Sequence, residues 1–155
     1  ALSACARFGF RPAGVLLAAA LLVHPAWISA RFLVSPRTKE ELRPVLEEVA
    51  RRARPGDLVY VYYGAVPAFR YYRERAGLAS AEVREGADED RGNPDAGLAA
   101  ASGRGPGRVW AVFSHVYRRP GIDEEAAFLE RLDRAGTRAE SVARHGASAH
   151  LYVMR

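Results

Sequence analysis

The sequence predicts an α/β fold: a small three-layer α/β/α, Rossmann-like domain with a mostly parallel sheet and a C-terminal hairpin, behind an N-terminal transmembrane helix. Three observations carry this. Residues 12–30 contain no Asp, Glu, Lys or Arg. Two short runs, Leu58–Tyr63 and Arg108–Phe113, are rich in β-branched and aromatic residues without polar alternation, as strands covered on both faces are. Amphipathic helical segments flank those runs, and helices alternating with buried strands make layered α/β domains.

The apolar stretch comes first. As a 19-residue helix it would span ~28 Å at 1.5 Å per residue, close to the ~30 Å hydrocarbon core of a bilayer. Arg11 and Arg31 flank it, and Trp27 lies near one end. His24 and Pro25 interrupt it, although membrane helices tolerate proline. Three readings fit: the last transmembrane helix of a larger protein, a signal peptide ending near Ile28-Ser29-Ala30, or the core helix of a soluble protein. The chain begins at Ala1, not at a methionine, so a fragment of a longer protein or a processed product is expected.

The remainder yields its elements in order. Thr38-Lys39-Glu40-Glu41 fits a capping box, and Leu42, Val45, Leu46, Val49, Ala50 and Ala53 form one apolar face behind it. Pro44 suggests that the regular helix begins there. After Leu58–Tyr63, Pro67 opens a helix to about Ala76, closed by Gly77. Residues 79–107 read as a surface loop, with a short strand around Glu82–Arg84 and a helical turn at Leu98–Ala101. Arg108–Phe113 follows, then a turn over His115–Gly121. Asp123-Glu124-Glu125 place acids in the first turn of a helix whose apolar face is Phe128, Leu129, Leu132 and Ala135. Arg138–Val142 and Ala149–Met154 around His145-Gly146 read as a hairpin.

Composition excludes several functions. The formal charge of +5 divides unevenly, because residues 1–37 hold Arg7, Arg11, Arg31 and Arg37 and no acid. The globular part is therefore near neutral and no nucleic-acid face is expected. Cys5 is the only cysteine and the four histidines are scattered, so neither a disulfide framework nor a metal site is predicted. Gly103-Arg104-Gly105-Pro106-Gly107 resembles a phosphate cradle but precedes a strand, where its amides could not open a helix toward an anion. No cofactor is called for: the turn Tyr63-Gly64-Ala65-Val66-Pro67 has one glycine, not a dinucleotide fingerprint.

Ligands of open α/β sheets bind beyond the carboxyl ends of the strands. If the two central strands are neighbours, Tyr63, Gly64, Ser114 and His115 share one rim there. Their phenol, hydroxyl and imidazole suit a sugar or polar headgroup, so these four are the candidate substrate-binding residues. Against this, Tyr60, Tyr62, Tyr71 and Tyr72 also suit core or interface positions, and His115 suits a cap. Asp57, ahead of the first strand, reads as a turn residue. No catalytic set is visible.

Several blocks resemble a known family. Lys39-Glu40-Glu41-Leu42-Arg43-Pro44-Val45-Leu46, Arg54-Pro55-Gly56-Asp57, Val59 through Tyr72, Gly107 through His115, and Gly146 through Tyr152 are similar to the C-terminal region of bacterial GT-C multi-pass membrane glycosyltransferases. These are the glycosyltransferase family 39 enzymes, related to protein O-mannosyltransferases and aminoarabinose transferases. The resemblance implies that residues 1–34 are the last transmembrane helix with its flanks, and that residues 35–155 are a soluble domain on the extracytoplasmic side of the cell membrane. It implies a polyprenyl-phosphate sugar as donor and an acceptor hydroxyl at the membrane surface. The family's catalytic carboxylate lies in an early extracytoplasmic loop that no residue here matches, so the fragment alone is expected to be inactive. A membrane-anchored or secreted glycan-binding module, and a stand-alone α/β nucleotide-cofactor enzyme, are the alternative expectations.

Overall fold

A computed structural model describes residues 5–34, 40–102 and 107–155. The chain divides into two units, residues 1–38 and 39–155.

The first unit is one helix, α1 (Cys5–Val34). Within it Leu16–Val34 is long and apolar enough to cross a membrane, with a mean hydropathy of 1.6 and none of it buried. Leu16, Leu17, Leu21, Leu22, Val23 and Trp27 are 63–71% exposed, so the helix is apolar all round, not along one stripe. It runs unbroken through His24 and Pro25. Proline costs one backbone donor there, a loss membrane helices accommodate.

The second unit begins with α2 (Leu42–Arg52). Leu42, Val45, Leu46 and Val49 are buried along the predicted face. The start differs from the expected capping box. Thr38 and Lys39 lie outside the described residues, the N-cap is Glu41, and its side chain makes no capping bond. Tertiary contact takes over, since the Glu41 amide donates to the His145 carbonyl at 2.8 Å. Pro44 sits in the first turn, where its missing N–H would have had no helical partner anyway.

β1 (Leu58–Val61) is buried at all four positions. A 3-10 turn (Tyr63–Ala65) leads into α3 (Val66–Tyr72), shorter than expected, with Gly77 at φ +84° beyond it. The acid-rich segment holds more structure than a loop: β2 (Glu82–Glu85), a 3-10 turn (Asp88–Asp90) and α4 (Pro94–Ser102). β3 (Gly107–Ser114) follows; residues 103–106 of the glycine-rich run lie outside the described residues. The expected turn after β3 contains a small ribbon, β4 (Arg118–Arg119) and β5 (Ile122–Asp123). α5 (Glu124–Ala135) is capped by Asp123, which accepts from the Ala126 amide at 3.1 Å. β6 (Gly136–Arg144) and β7 (Ala147–Met154) form the predicted hairpin, turning through Gly146 at φ +70°.

The main sheet has the order β2-β1-β3-β7-β6. β1 pairs in parallel with β2 and β3, but β7 is antiparallel to both β3 and β6. The sheet is therefore mixed, not mostly parallel. The tight β6–β7 turn forces the two strands to run opposite ways, and β7 then fills the place beside β3. Val59, Val61, Trp110, Val112, Ala149 and Leu151 pack under α2 and α3 on one face. Leu58, Tyr60, Val109, Ala111, Phe113 and Tyr152 pack against α4 and α5 on the other. Two faces with two cores explain why β1 reads as a continuous apolar run.

Candidate functional site

β1 and β3 are neighbours, with Val61 opposite Val112. After β1 the chain leaves over one face through α3; after β3 it leaves over the other through α5. The connections diverge between these two strands, the switch point where open α/β sheets form crevices. The four predicted residues do meet there. A Cβ on Gly64 would lie 2.7 Å from the His115 carbonyl oxygen and 3.2 Å from that of Ser114. Only glycine lets the two loops approach this closely.

Tyr63 and Ser114 are buried and their hydroxyls are engaged, whereas His115 is exposed. Two carboxylates organise the rim. Glu40 accepts from the Ser114 hydroxyl, from the His115 amide at 3.1 Å and from the His115 Nδ1. His115 has φ +52°, a costly conformation for a residue with a side chain, and Glu40 holds it from both the amide and the ring.

Glu124 is the second centre. Though in the first turn of α5, it points inward and is 7% exposed. Its carboxylate accepts from the Tyr62 hydroxyl, from the Tyr63 hydroxyl at 2.8 Å and from the Gly92 amide at 3.1 Å. The two tyrosine rings lie 4.3 Å apart, and the Arg91 guanidinium stands 5.4 Å above Tyr63. Burial, then the hydrogen bond to Glu124, push the Tyr62 phenol far above its ordinary range. Burial raises Tyr63 as well; the Tyr62 hydroxyl opposes this and Glu124 adds to it. Both phenols therefore stay protonated donors, not nucleophiles. The cleft among Tyr60, Tyr63, Gly97, Glu124 and Phe128 has room for about 10 Å³, one water at most.

Sequence reasoning missed Glu40, Glu124 and Tyr62 as parts of this rim. A usable signal existed: buried tyrosines need hydrogen-bond partners. Asp57 lies at the opposite end of the sheet, as a turn residue should. It accepts from the Arg54 amide at 3.0 Å and pairs with Arg108 at 2.8 Å. Of the other tyrosines, Tyr60 and Tyr62 are buried and Tyr71 is 62% exposed. Among the described residues no group of three or more His, Cys, Asp or Glu side chains is placed to hold a metal ion.

No protein-family model matches this chain, and no curated protein is detectably similar to it.

Proposed function

We propose that this chain is a membrane-anchored, extracytoplasmic C-terminal domain of a polyprenyl-phosphate-sugar-dependent glycosyltransferase, accessory to donor or acceptor binding and not catalytic alone. The observation that carries the anchor is Leu16–Val34: a predominantly apolar span of 19 residues, none buried, directly ahead of an α/β domain in the sequence. A helix with no protected face needs lipid or a partner to cover it. The transferase reading rests on the sequence blocks that resemble that family. The accessory role is supported by the rim, where the hydroxyls of Tyr62, Tyr63 and Ser114 are committed to Glu124 and Glu40. The partners are the bilayer, the polyprenyl-phosphate sugar and its acceptor.

The test is an alkaline phosphatase fused after Arg155, with carbonate-washed membranes. The expected outcome is retention in the membrane fraction and phosphatase activity outside the cytoplasm. A protein released by the wash, or a fusion silent while a cytoplasmic reporter at the same position is active, overturns the reading.

A further inference from the structure

A second concavity lies at the same end of the sheet as the rim, where Ser114 pairs with Ala147. It measures about 260 Å³ and is bounded by Phe113 and Val116, by Arg118 and Glu125, and by Arg144 and Ser148. Pockets for drug-sized ligands start near ~300 Å³, so this one suits a single sugar-sized ring.

Its polar groups are built in, not splayed from the surface. Ser148 and His150 are each 8% exposed, and Glu125 is only 15% exposed. The Glu125 carboxylate accepts from the Ser148 hydroxyl, from Arg118 Nη2 at 2.6 Å and, more weakly, from His150 Nε2 at 3.5 Å. The other ring nitrogen, Nδ1, lies 2.9 Å from the Ser141 hydroxyl, which fixes the ring's orientation. Burial opposes ionisation of Glu125, but the bonds from His150 and Ser148 and the charge of Arg118 outweigh it, so the carboxyl lies below its ordinary range. A carboxylate has about four acceptor sites. Three are taken here, which leaves one for a ligand hydroxyl.

The two arginines differ. Arg118 is shared between Glu125 and Asp123, the latter at 2.9 Å, so its charge is answered within the domain. Arg144, exposed at the mouth, has no acidic partner among the described residues; it donates only to the Ala143 carbonyl, at 2.8 Å. An unanswered guanidinium beside a cavity suits a carboxylate or phosphate, whose paired oxygens match its fork. Val116, half-buried at the edge of the cavity, supplies apolar surface of the kind a sugar ring's C–H face packs on, while Phe113 behind it is fully buried.

We propose that this cavity binds one hexose-sized polyol bearing a single anionic group, the anion on Arg144 and a ring hydroxyl on Glu125. The site is separate from the Tyr63–His115 rim and does not depend on the transferase reading.

The test uses the full chain in detergent micelles, titrated calorimetrically with glucuronate, a hexose monophosphate, glucose and inorganic phosphate. At least one of the two anionic sugars is expected to bind saturably, about tenfold tighter than glucose or inorganic phosphate. Preference for glucuronate assigns the anion as a carboxylate, preference for the hexose phosphate as a phosphate. Arg144→Ala is expected to weaken that binding about tenfold or more without moving the thermal melt, because the residue is exposed and makes only a local contact. Arg144→Glu should abolish it. Equal binding of glucose, no saturation of either anionic sugar up to about 10 mM, or an unchanged affinity in Arg144→Ala overturns the proposal. None of these outcomes bears on the membrane-topology reporter, so the two readings fail separately.

Discussion

Replacing Glu124 tests the organisation of the rim most directly. Its carboxylate accepts three hydrogen bonds in a space with room for about one water. Glu124→Ala leaves two phenols and an amide without that acceptor. Each unsatisfied buried donor costs ~1–3 kcal/mol. Water entering the enlarged cleft recovers part of this, so the expected loss is ~3–5 kcal/mol, a large share of the ~5–15 kcal/mol that holds a domain together. Glu124→Gln keeps the shape but divides the acceptor from the donor. Its amide oxygen can serve the Gly92 amide while the phenols rotate to accept from its NH2 group, so the cost falls to ~1–2 kcal/mol. Urea melts of the full chain in mild detergent, followed by near-UV circular dichroism, give both values. A double-mutant cycle with Tyr62→Phe should show a coupling above ~0.5 kcal/mol. If Glu124→Ala costs under ~1 kcal/mol, or if Gln costs as much as Ala, the carboxylate is not the organising group and the reasoning fails.

Three further outcomes follow from the packing. Trp110 is fully buried, and its indole N–H has no partner among the described residues. Trp110→Ala should therefore cost ~3–5 kcal/mol, whereas Trp110→Phe, which removes the orphan donor, should cost ~1 kcal/mol or less in the same melts. Tyr62, Tyr63 and Tyr152 all have raised pKa values: burial leads in each case, with acceptance by Glu124 or Asp133 adding to it. Their folded-state values exceed the unfolded ~10, so their stabilisation is fully present below pH ~10 and declines above it, by ~1.4 kcal/mol per pH unit for each tyrosine. Urea melts across alkaline pH, with tyrosinate absorbance as the second signal, should show this, and Tyr62→Phe should flatten the decline. Gly64→Ala should destabilise by ~1–3 kcal/mol, because its Cβ would meet two backbone oxygens that cannot swing aside; a neutral thermal shift would contradict the close approach of the two loops.

Much of the fold was legible because its signals are local. The apolar face of α2 follows a 3.6-residue period, and Leu42, Val45, Leu46 and Val49 are all buried. The unbroken run of β1 announces cover on both sides, which the two cores supply. The acid-rich segment was less legible. β2 is a four-residue edge strand with mixed exposure, and α4 is built from Ala, Gly and Leu without a strong apolar stripe, so neither stands out from a loop. The two-residue strands of the ribbon are shorter than any period that could reveal them. At the rim, the residue types and their meeting at the strand ends could be read from the chain, but their partners could not. A glutamate in the first turn of a helix satisfies the helix dipole whether it points to solvent or, like Glu124, inward to two tyrosines.

The amino-acid order alone determined which segments are apolar helix, amphipathic helix and buried strand, because helical and strand periods are set by the backbone within a few residues. Only the tertiary structure decided that β7 lies between β3 and β6, that Glu40 meets Ser114 and His115, and that Glu124 meets Tyr62 and Tyr63. These are pairings across 61 to 75 residues or between elements on different layers. They are chosen by which arrangement buries both faces of one sheet while satisfying the polar groups enclosed with them, a condition that no local stretch of chain contains.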